Sequence, residues 1–409
     1  MDFITDKIAD RLGGTGFGKE TTVYKFVRIK QAKEEARAKH PGLSLIDLGV
    51  GEPDQPADPA IVEVLGREAG KPENRWYSDN GIHEFQDAAA QYLKWVYGVG
   101  NLSADNIIHG IGSKPILAML PLCLINPGEI ALTTTPGYPV TGTYTQYLQG
   151  SVHRLPLLKE NQFYPDFSRI PSEVLSRAKL LYLNYPNNPT GQVATREFFQ
   201  KVVEFAVRNN IFVIMDAAYG ALTFDGYQPL SFLSVDGALD VGVEVHSLSK
   251  AFNMTGWRLA FVAGHPKIIK AYGTVKDNTD SGQFRAIQKA GIYALQHPEL
   301  TEPNRERYSR RFDLLVPALR ELGFDARKPQ GSFYCYVLAP KGTRSGIIFE
   351  NAEAVSEYLI KEALISTVPW DDAGSYLRIS VTFEADGPEA ERRTVAELKE
   401  RISRLELVF

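Results

Sequence analysis

The sequence predicts an α/β protein with two parts: a large domain built on a mainly parallel, seven-stranded sheet covered by helices, and a smaller α+β domain. Three observations lead to this prediction. The chain has 409 residues, more than one small core accommodates. Short apolar segments alternate with helical segments through its middle, as in parallel sheets covered on both faces. From about residue 300 the chain changes to charged helices separated by isolated strands.

Composition and charge indicate a folded globular protein and exclude several functions. The chain is 44% hydrophobic and 23% charged, with a net charge of −4 and a pI near 6.1, so it offers no basic surface to nucleic acid or to an anionic membrane. No apolar segment approaches the roughly 18 residues of a membrane span. Asp2, Asp6 and Asp10 are unlike a signal peptide, so we expect a cytoplasmic protein. Cys123 and Cys335 predict reduced buried thiols and neither a disulfide nor a metal site.

The elements begin with an N-terminal arm. Residues 11–26 are rich in glycine, and the charged segment "VRIKQAKEEARAK" predicts a helix that ends at His40-Pro41-Gly42. We expect this arm, residues 1–52, to pack with the small domain. The large domain then spans residues 53–299, and the small domain spans residues 300–409.

Apolar segments with helices between them predict the strands of the large sheet. The segment "GWRLAFVAG" follows the sixth of them after a short connection, which predicts an antiparallel seventh strand. In the small domain, "GSFYCYVLAP" and "SYLRISVTF" predict strands between charged helices. The six segments before "GWRLAFVAG" are "NIIHGIG", "EIALTTT", "SVHRLPL", "KLLYLNYP", "IFVIMDAAYG" and "VEVHSLS".

Polar residues at the carboxyl ends of four predicted strands indicate a candidate site, because parallel sheets bind ligands at that edge. In "GIGSKP" two glycines allow a tight turn, and Ser113 and Lys114 open a helix. A helix start with a hydroxyl and an ammonium binds anions, although an ordinary strand-to-helix turn has the same pattern. "NYPNNPTG" holds Asn188 as a rigidly placed amide, or forms a plain turn.

The third strand end carries an acid. Asp216 ends the apolar run of "IFVIMDAAYG", and Tyr219 lies three residues further on. An acid at this position is either a helix N-cap or a buried partner for a cation.

The fourth strand end is "HSLSKAFNMTGWR", which places Lys250 directly after an apolar strand. Desolvation and nearby cations lower the pKa of a lysine in such a place and favour the nucleophilic amine. Together the four strand ends describe an aromatic phosphate ester bound to Lys250 as an imine, with a carboxylate at a pyridine nitrogen. That is the chemistry of pyridoxal 5′-phosphate. The residues suited to its phosphate are Ser113, Lys114, Ser247, Ser249 and Arg258.

These segments resemble a known family. "NYPNNPTG", "DAAYG" and "SLSK…GWR" are similar to the class I and II aminotransferases of the fold-type I pyridoxal-phosphate superfamily, from "LGVGEPDQP" to "SYLRISVTF". The resemblance implies that Lys250 carries the Schiff base and moves the Cα proton. It implies that Asp216 faces the pyridine nitrogen, that Asn188 and Tyr219 bind the phenolic oxygen, and that Tyr138 stacks on the ring.

The resemblance also implies a substrate site and a partner. Arg378 in "YLRIS" binds the substrate α-carboxylate with help from the backbone near Gly51, although by itself it could be a solvated strand arginine. Tyr77 in "NRWYSDNG" reaches the phosphate of the neighbouring subunit. A homodimer with shared active sites follows.

Within this family the sequence is most similar to the branch that transfers an amino group from LL-2,6-diaminopimelate to 2-oxoglutarate and, in the biosynthetic direction, supplies lysine and cell-wall precursors. The far end of that substrate is a second amino acid head. Its recognition requires an acid for the ammonium and donors for the carboxylate. Asp79 and Tyr24 are the candidates for this far end.

Three alternatives use the same scaffold. An aspartate, alanine or aromatic aminotransferase shares all the cofactor residues, and Asp79 is then a surface acid. A β-lyase or synthase diverts the same carbanion to elimination. A pyridoxal-phosphate-binding transcription regulator needs a basic DNA-binding domain, for which the arm is too short. His109 and His246 are predicted to be core residues, because Lys250 already supplies the proton transfer.

Overall fold

The computed structural model describes residues 4–18 and 25–409, so Tyr24 lies outside the described residues. Within these ranges the strands are β1 (Ile46–Asp47), β2 (Ile107–Gly110), β3 (Ile130–Thr135), β4 (Ser151–Pro156), β5 (Ala178–Asn184), β6 (Phe212–Asp216), β7 (Gly242–Ser247), β8 (Ala260–Gly264), β9 (Tyr334–Leu338), β10 (Gly342–Thr343), β11 (Ile365–Ser366), β12 (Val368–Trp370), β13 (Tyr376–Ser380) and β14 (Leu407–Val408).

The α-helices of the described residues are α1 (Lys25–Lys39), α2 (Pro59–Ala69), α3 (His83–Tyr97), α4 (Ser113–Leu124), α5 (Val140–Tyr147), α6 (Ser172–Leu175), α7 (Arg196–Asn209), α8 (Ala238–Val241), α9 (Leu248–Ala251), α10 (Pro266–Asp277), α11 (Arg285–Gln296), α12 (Glu302–Glu321), α13 (Ala352–Ala363) and α14 (Gly387–Ser403). Short 3-10 helices lie at Thr5–Lys7, Asp10–Leu12, Gly14–Gly16, Pro72–Arg75, Ala104–Asn106, Lys159–Asn161, Phe167–Arg169, Phe232–Ser234 and Pro298–Thr301.

A seven-stranded sheet with the order β2-β8-β7-β6-β5-β3-β4 forms the centre of the protein. Its neighbouring strands are parallel except at β8, which is antiparallel to both β2 and β7. The connection from β7 to β8, residues 248–259, contains only the one-turn helix α9 and lacks the longer helix that usually forms a parallel crossover. The predicted fold class and the antiparallel seventh strand are confirmed.

Successive strand residues face opposite sides of this sheet and enter two different cores. Leu181 and Val213 pack in a core with residues of α3, α7 and α11, whereas their neighbours Leu180 and Ile214 pack in a core with residues of α4 and α10. This period of two explains why the strands are continuously apolar, since both faces are covered by helices.

A third core joins the carboxyl-terminal part of the chain to residues near its beginning. It contains residues of α12, α13, α14, β9 and β13, together with Ile46 and Leu48. The short strand β1 pairs in parallel with β11, and α1 packs against α13 through Ala32 and Ala36. These contacts agree with an N-terminal arm that packs with the small domain, while the exact domain boundaries stay a prediction.

The topology sets the position of the site. The carboxyl ends of β5, β6 and β7 lie side by side, because Asn184 pairs with Asp216 and Asp216 with Val245 in the sheet register. Among the described residues no helix is both long and apolar enough to cross a membrane.

Candidate active site

A cavity of about 550 Å³ opens at the carboxyl ends of the parallel strands. Most of the predicted site residues line it, although they come from distant parts of the sequence. Two polar residues that sequence reasoning missed, Asn184 and Tyr334, also line it, together with Ala218. The predicted residues in its wall are Gly51, Ser113, Lys114, Tyr138, Asn188, Asp216, Tyr219, Ser247, Ser249, Lys250, Arg258 and Arg378.

Lys250 lies in the one-turn helix α9 directly after β7, with its Nζ atom 2.9 Å from the carbonyl oxygen of Gly51. Burial lowers the pKa of Lys250 to about 8. The nearby carboxylate of Glu52 opposes this shift, while the positive charges of Arg258 and Arg378 add to it. A substantial fraction of this amine is therefore neutral, and nucleophilic, just above neutral pH.

The apolar residues after Lys250 hold its backbone in place. Phe252 and Met254 are buried in the core beneath the sheet edge, and Trp257 packs against the same core. They therefore fix the turn that carries Lys250.

Asp216 is a buried acid without a cationic partner in the described part of the chain. Tyr182 donates a hydrogen bond to Oδ2 at 3.0 Å, and the backbone N–H of Ala218 donates to Oδ1 at 3.1 Å. Burial raises the pKa of Asp216 to about 6, although both hydrogen bonds and the nearby imidazole of His246 oppose the shift. A cationic group bound in the cavity is the partner that this carboxylate lacks.

An anion site forms where α4 begins and Arg258 approaches it. Ser113 starts α4, whose first N–H groups have no partner within the helix. The guanidinium of Arg258 lies so close to Gly112 that a Cβ atom on that glycine would be 2.1 Å from Nη2. Ser247 and Ser249 are both largely buried beside it. The serines, the helix start and the guanidinium suit a phosphate group.

Arg378 is a buried cation, so a solvated strand arginine is excluded. It lies on β13, with Nη1 donating to Asn188 Oδ1 at 2.9 Å and Nη2 to the carbonyl oxygen of Gly49 at 3.1 Å. Its guanidinium lies 4.1 Å from the ring centre of Tyr334. The Nε–H is buried and has no hydrogen-bond partner within the described ranges, and no carboxylate there pairs with this arginine. The geometry suits a carboxylate ligand.

The two missed residues differ in how they could have been found. Asn184 ends β5 as Asp216 ends β6, so the same signal applied to it. Its amide donates to the carbonyl oxygen of Asp216 at 2.9 Å and its Oδ1 accepts from the Asn188 N–H at 2.8 Å. Tyr334 comes from β9 and lies 3.2 Å from the Tyr219 hydroxyl. Nothing in its local sequence distinguishes it from a core tyrosine.

Two predicted residues lie outside the cavity of their own chain. The Tyr77 side chain is 77% exposed, and its carbonyl oxygen accepts a hydrogen bond from Arg285 at 2.7 Å. Asp79 is also exposed, with a positive φ of 43°. A role for either residue across a subunit interface stays a prediction. His109 and His246 are buried and do not line the cavity.

The cavity thus combines a nucleophilic amine, a buried acid that lacks a cation, an anion site and a buried guanidinium that lacks an anion. Pyridoxal 5′-phosphate carries a pyridinium, a phosphate and an aldehyde, which match the first three features, and the fourth remains for a substrate carboxylate. No group of three or more histidine, cysteine, aspartate or glutamate side chains within residues 4–18 and 25–409 could hold a metal ion.

Comparison with known proteins gave three findings. The model of the family described as aminotransferase class I and II matches residues 44–398. An LL-diaminopimelate aminotransferase of Methanocaldococcus jannaschii is 55% identical over all of this chain and 99% of its own length, and an L-glutamine–4-(methylsulfanyl)-2-oxobutanoate aminotransferase of Bacillus subtilis is 40% identical over 82% of this chain and 83% of its own. The substrate-bound structure of BacF from Bacillus subtilis superposes with a TM-score of 0.86 at 34% identity and covers 98% of both chains.

Proposed function

The chain belongs to the class I and II aminotransferases, and from this premise we propose that it transfers an amino group between LL-2,6-diaminopimelate and 2-oxoglutarate. In the biosynthetic direction it makes LL-diaminopimelate from tetrahydrodipicolinate and glutamate. The observation that carries this proposal is the 55% identity to an LL-diaminopimelate aminotransferase along the entire chain.

Pyridoxal 5′-phosphate is the proposed cofactor, and the residues of the cavity fit it. Ser113, Lys114, Ser247, Ser249 and Arg258 hold its phosphate. When the cofactor is bound, Asp216 would keep the ring nitrogen protonated, Asn188 and Tyr219 would donate hydrogen bonds to the phenolic oxygen, and Tyr138 would contact the ring. When bound, the cofactor supplies an electron sink that stabilises negative charge at the substrate Cα.

Lys250 is the proposed catalytic residue. Its lowered pKa of about 8 makes the amine available for covalent attachment of the cofactor and afterwards for moving the proton at Cα. Arg258 and Arg378 contribute to this lowered pKa, so the two cations that bind anionic groups also activate the base.

Substrate binding begins at Arg378. Its guanidinium is fixed by Asn188 and by the carbonyl oxygen of Gly49, so its remaining donors are aimed before the substrate arrives. The α-carboxylate binds there, assisted by the backbone near Gly51. This arrangement places Cα close to Lys250, whose amine is 2.9 Å from the Gly51 carbonyl oxygen.

The far end of the substrate is proposed to be read by Asp79 and Tyr24, with Asp79 reaching from a second subunit. We propose a homodimer because Tyr77 and the adjacent Trp76 expose 77% and 57% of their surface on the loop that carries Asp79. A cytoplasmic location is proposed as well, supported by two unpaired cysteines.

A broader amino donor specificity is the second candidate. It is favoured by the 40% identity to an aminotransferase that uses glutamine, because all the cofactor residues serve both activities equally well. The two candidates differ in whether the cavity recognises one amino acid group of the substrate or both.

A half-reaction tests the proposal. The protein loaded with pyridoxal phosphate is mixed with one amino donor at a time, and the change of the bound cofactor to its pyridoxamine form is followed by absorbance. We expect rapid conversion by LL-diaminopimelate and glutamate, and slow conversion by meso-diaminopimelate, aspartate, alanine, phenylalanine and glutamine. Fast conversion by glutamine or phenylalanine with diaminopimelate inert refutes the substrate, while the cofactor chemistry stands.

A further inference from the structure

Arg258 needs an unusual backbone to point into the anion site. It has a positive φ of 57°, which non-glycine residues rarely adopt, and it lies in the turn between α9 and β8. Its Nη1 donates to the carbonyl oxygen of Thr255 at 2.8 Å, and its Nη2 lies against the backbone of Gly112. The position of the Arg258 guanidinium therefore depends on the contacts that hold this strained turn in place.

Gln283 fixes that turn. Its Nε2 donates two hydrogen bonds, to the carbonyl oxygens of Trp257 at 2.8 Å and of Arg258 at 2.7 Å. Both N–H groups of the amide are used in this way, while its Oε1 is buried and finds no partner among the described residues. Because a flipped amide would place oxygen against two carbonyl oxygens, the contacts fix the orientation of the side chain.

The backbone of Gln283 is itself held firmly. Ser78 Oγ donates to its carbonyl oxygen at 2.8 Å and accepts from its N–H at 3.1 Å, and Gln288 Nε2 donates to the same serine oxygen at 2.8 Å. Lys276, fully buried, pairs with Asp280 and donates to the carbonyl oxygen of Asp79 at 3.0 Å. The turn at Gln283 is therefore tied to the loop that carries Tyr77.

We propose that Gln283 is a positioning residue for the cofactor phosphate: it holds the backbone of Arg258 so that the guanidinium lies at the anion site. The inference rests on the proposed function, since it takes Arg258 as a phosphate ligand. Gln283 does not line the cavity, so its proposed effect on the phosphate is exerted through Arg258. Through Ser78 the same turn supports the loop that is predicted to enter the neighbouring active site.

Binding to the cofactor-free protein tests this role without relying on activity. The dissociation constants of pyridoxal phosphate and of inorganic phosphate are measured by protein fluorescence for the unaltered protein and for Gln283→Met, Gln283→Glu and Arg258→Ala. The matched control is Gln86→Met, which removes a glutamine side chain that donates to the Ile107 carbonyl oxygen at 2.9 Å away from the cavity.

We expect Gln283→Met to weaken both ligands by about tenfold, as loss of an outer partner of a ligating residue commonly does. Gln283→Glu is expected to weaken them further at pH 8, because its carboxylate repels the two carbonyl oxygens, although it matches glutamine in size. Gln86→Met should stay within about twofold of the unaltered protein. At saturating cofactor, the KM for the amino donor should change less than about twofold, since Arg378 is untouched.

A role limited to filling space gives the reverse order, with Gln283→Glu milder than Gln283→Met, and that order overturns the inference. Binding within about twofold by both Gln283 variants, with Arg258→Ala weakened, also overturns it and leaves the proposed function intact. Unchanged binding by Arg258→Ala overturns the phosphate assignment itself, and the inference falls with it. Circular dichroism confirms folding, and Gln283→Met remains decisive if Gln283→Glu does not fold.

Discussion

Asp216→Asn is expected to stabilise the cofactor-free protein near pH 8 while abolishing transamination. In the folded chain burial raises the pKa of Asp216 from 3.8 to about 6, and no cation among the described residues pairs with it. The folded state without cofactor therefore carries an unfavourable buried charge at neutral pH. Asparagine removes the charge but keeps an oxygen for the Ala218 N–H and an amide that can face Tyr182.

The direction and the size of the stability difference follow from the change in the pKa of Asp216 on folding. A carboxyl group whose pKa rises on folding adds to the free energy of unfolding when the pH is below its pKa in the unfolded chain, here 3.8. This contribution is lost as the pH rises through the folded-state pKa of about 6. A shift of about two units corresponds to about 3 kcal/mol in full, of which about 2 kcal/mol falls between pH 4.5 and pH 8. The unaltered protein should lose this stability relative to Asp216→Asn over that interval.

Urea unfolding of both cofactor-free proteins at about pH 4.5 and pH 8 measures the difference in midpoint. Asp54→Asn is the control of opposite sign, because Asp54 and Glu391 both pair with the buried Arg311, at 2.9 and 3.0 Å, and neutralising Asp54 removes one of the two carboxylates that balance this cation. The reasoning is refuted if the midpoints of the unaltered protein and Asp216→Asn differ by the same amount at both pH values. Added pyridoxal phosphate should reverse the order at pH 8, since the cofactor supplies the missing cation.

Three further predictions concern the cavity and the proposed subunit interface. Gly112→Ala should weaken pyridoxal phosphate binding by at least about tenfold, because the glycine has a φ of 83° and its Cβ would meet Arg258 at 2.1 Å; near-normal binding in a fluorescence titration would contradict this placement of the guanidinium. Arg378→Lys should raise the KM for the amino donor by about ten- to a hundredfold in steady-state assays with cofactor affinity unchanged, since lysine cannot replace the two-pronged contact. Mixed dimers of Tyr77→Phe and Lys250→Ala subunits should regain one intact site, seen as activity above that of either variant alone; no recovery would argue against shared sites.

The strand ends of the site could be predicted because they break a simple pattern. Apolar strands buried on both faces hold few polar side chains, and the two within β7, Glu244 and His246, hydrogen-bond to each other. Polar residues at the ends of β6 and β7 therefore indicate ligand-binding positions. Asn184 has the same signal, because it ends β5 as Asp216 ends β6. The antiparallel β8 was predictable from the length of one connection.

Other parts of the site depend on contacts that local sequence does not encode. Tyr334 reaches the cavity only because β9 pairs with β13 and brings it under Arg378. Gln283 acts on carbonyl groups about 25 residues earlier in the chain, and its own segment resembles an ordinary polar turn. For Tyr77 and Asp79, the proposed surroundings belong to a second subunit, which no pattern within one chain describes.

The unpaired charges of the cavity make the stability of the fold depend on whether the cofactor is bound. Lys250, Arg258 and Arg378 bring positive charge to one space, and within the described residues none of them forms an ion pair. Asp216, the one acidic residue in the lining of this cavity, also has no ion-pair partner there. Each of these groups is desolvated at a cost that its hydrogen bonds to neutral partners offset only in part, because none of those partners carries an opposite charge. A ligand that carries a phosphate and a pyridinium satisfies two of them, and a substrate carboxylate satisfies a third. Binding of the cofactor should therefore raise the unfolding midpoint more than binding of an uncharged ligand of equal size. The charged ligand forms similar contacts and also removes the electrostatic penalty of the unpaired charges in the folded chain.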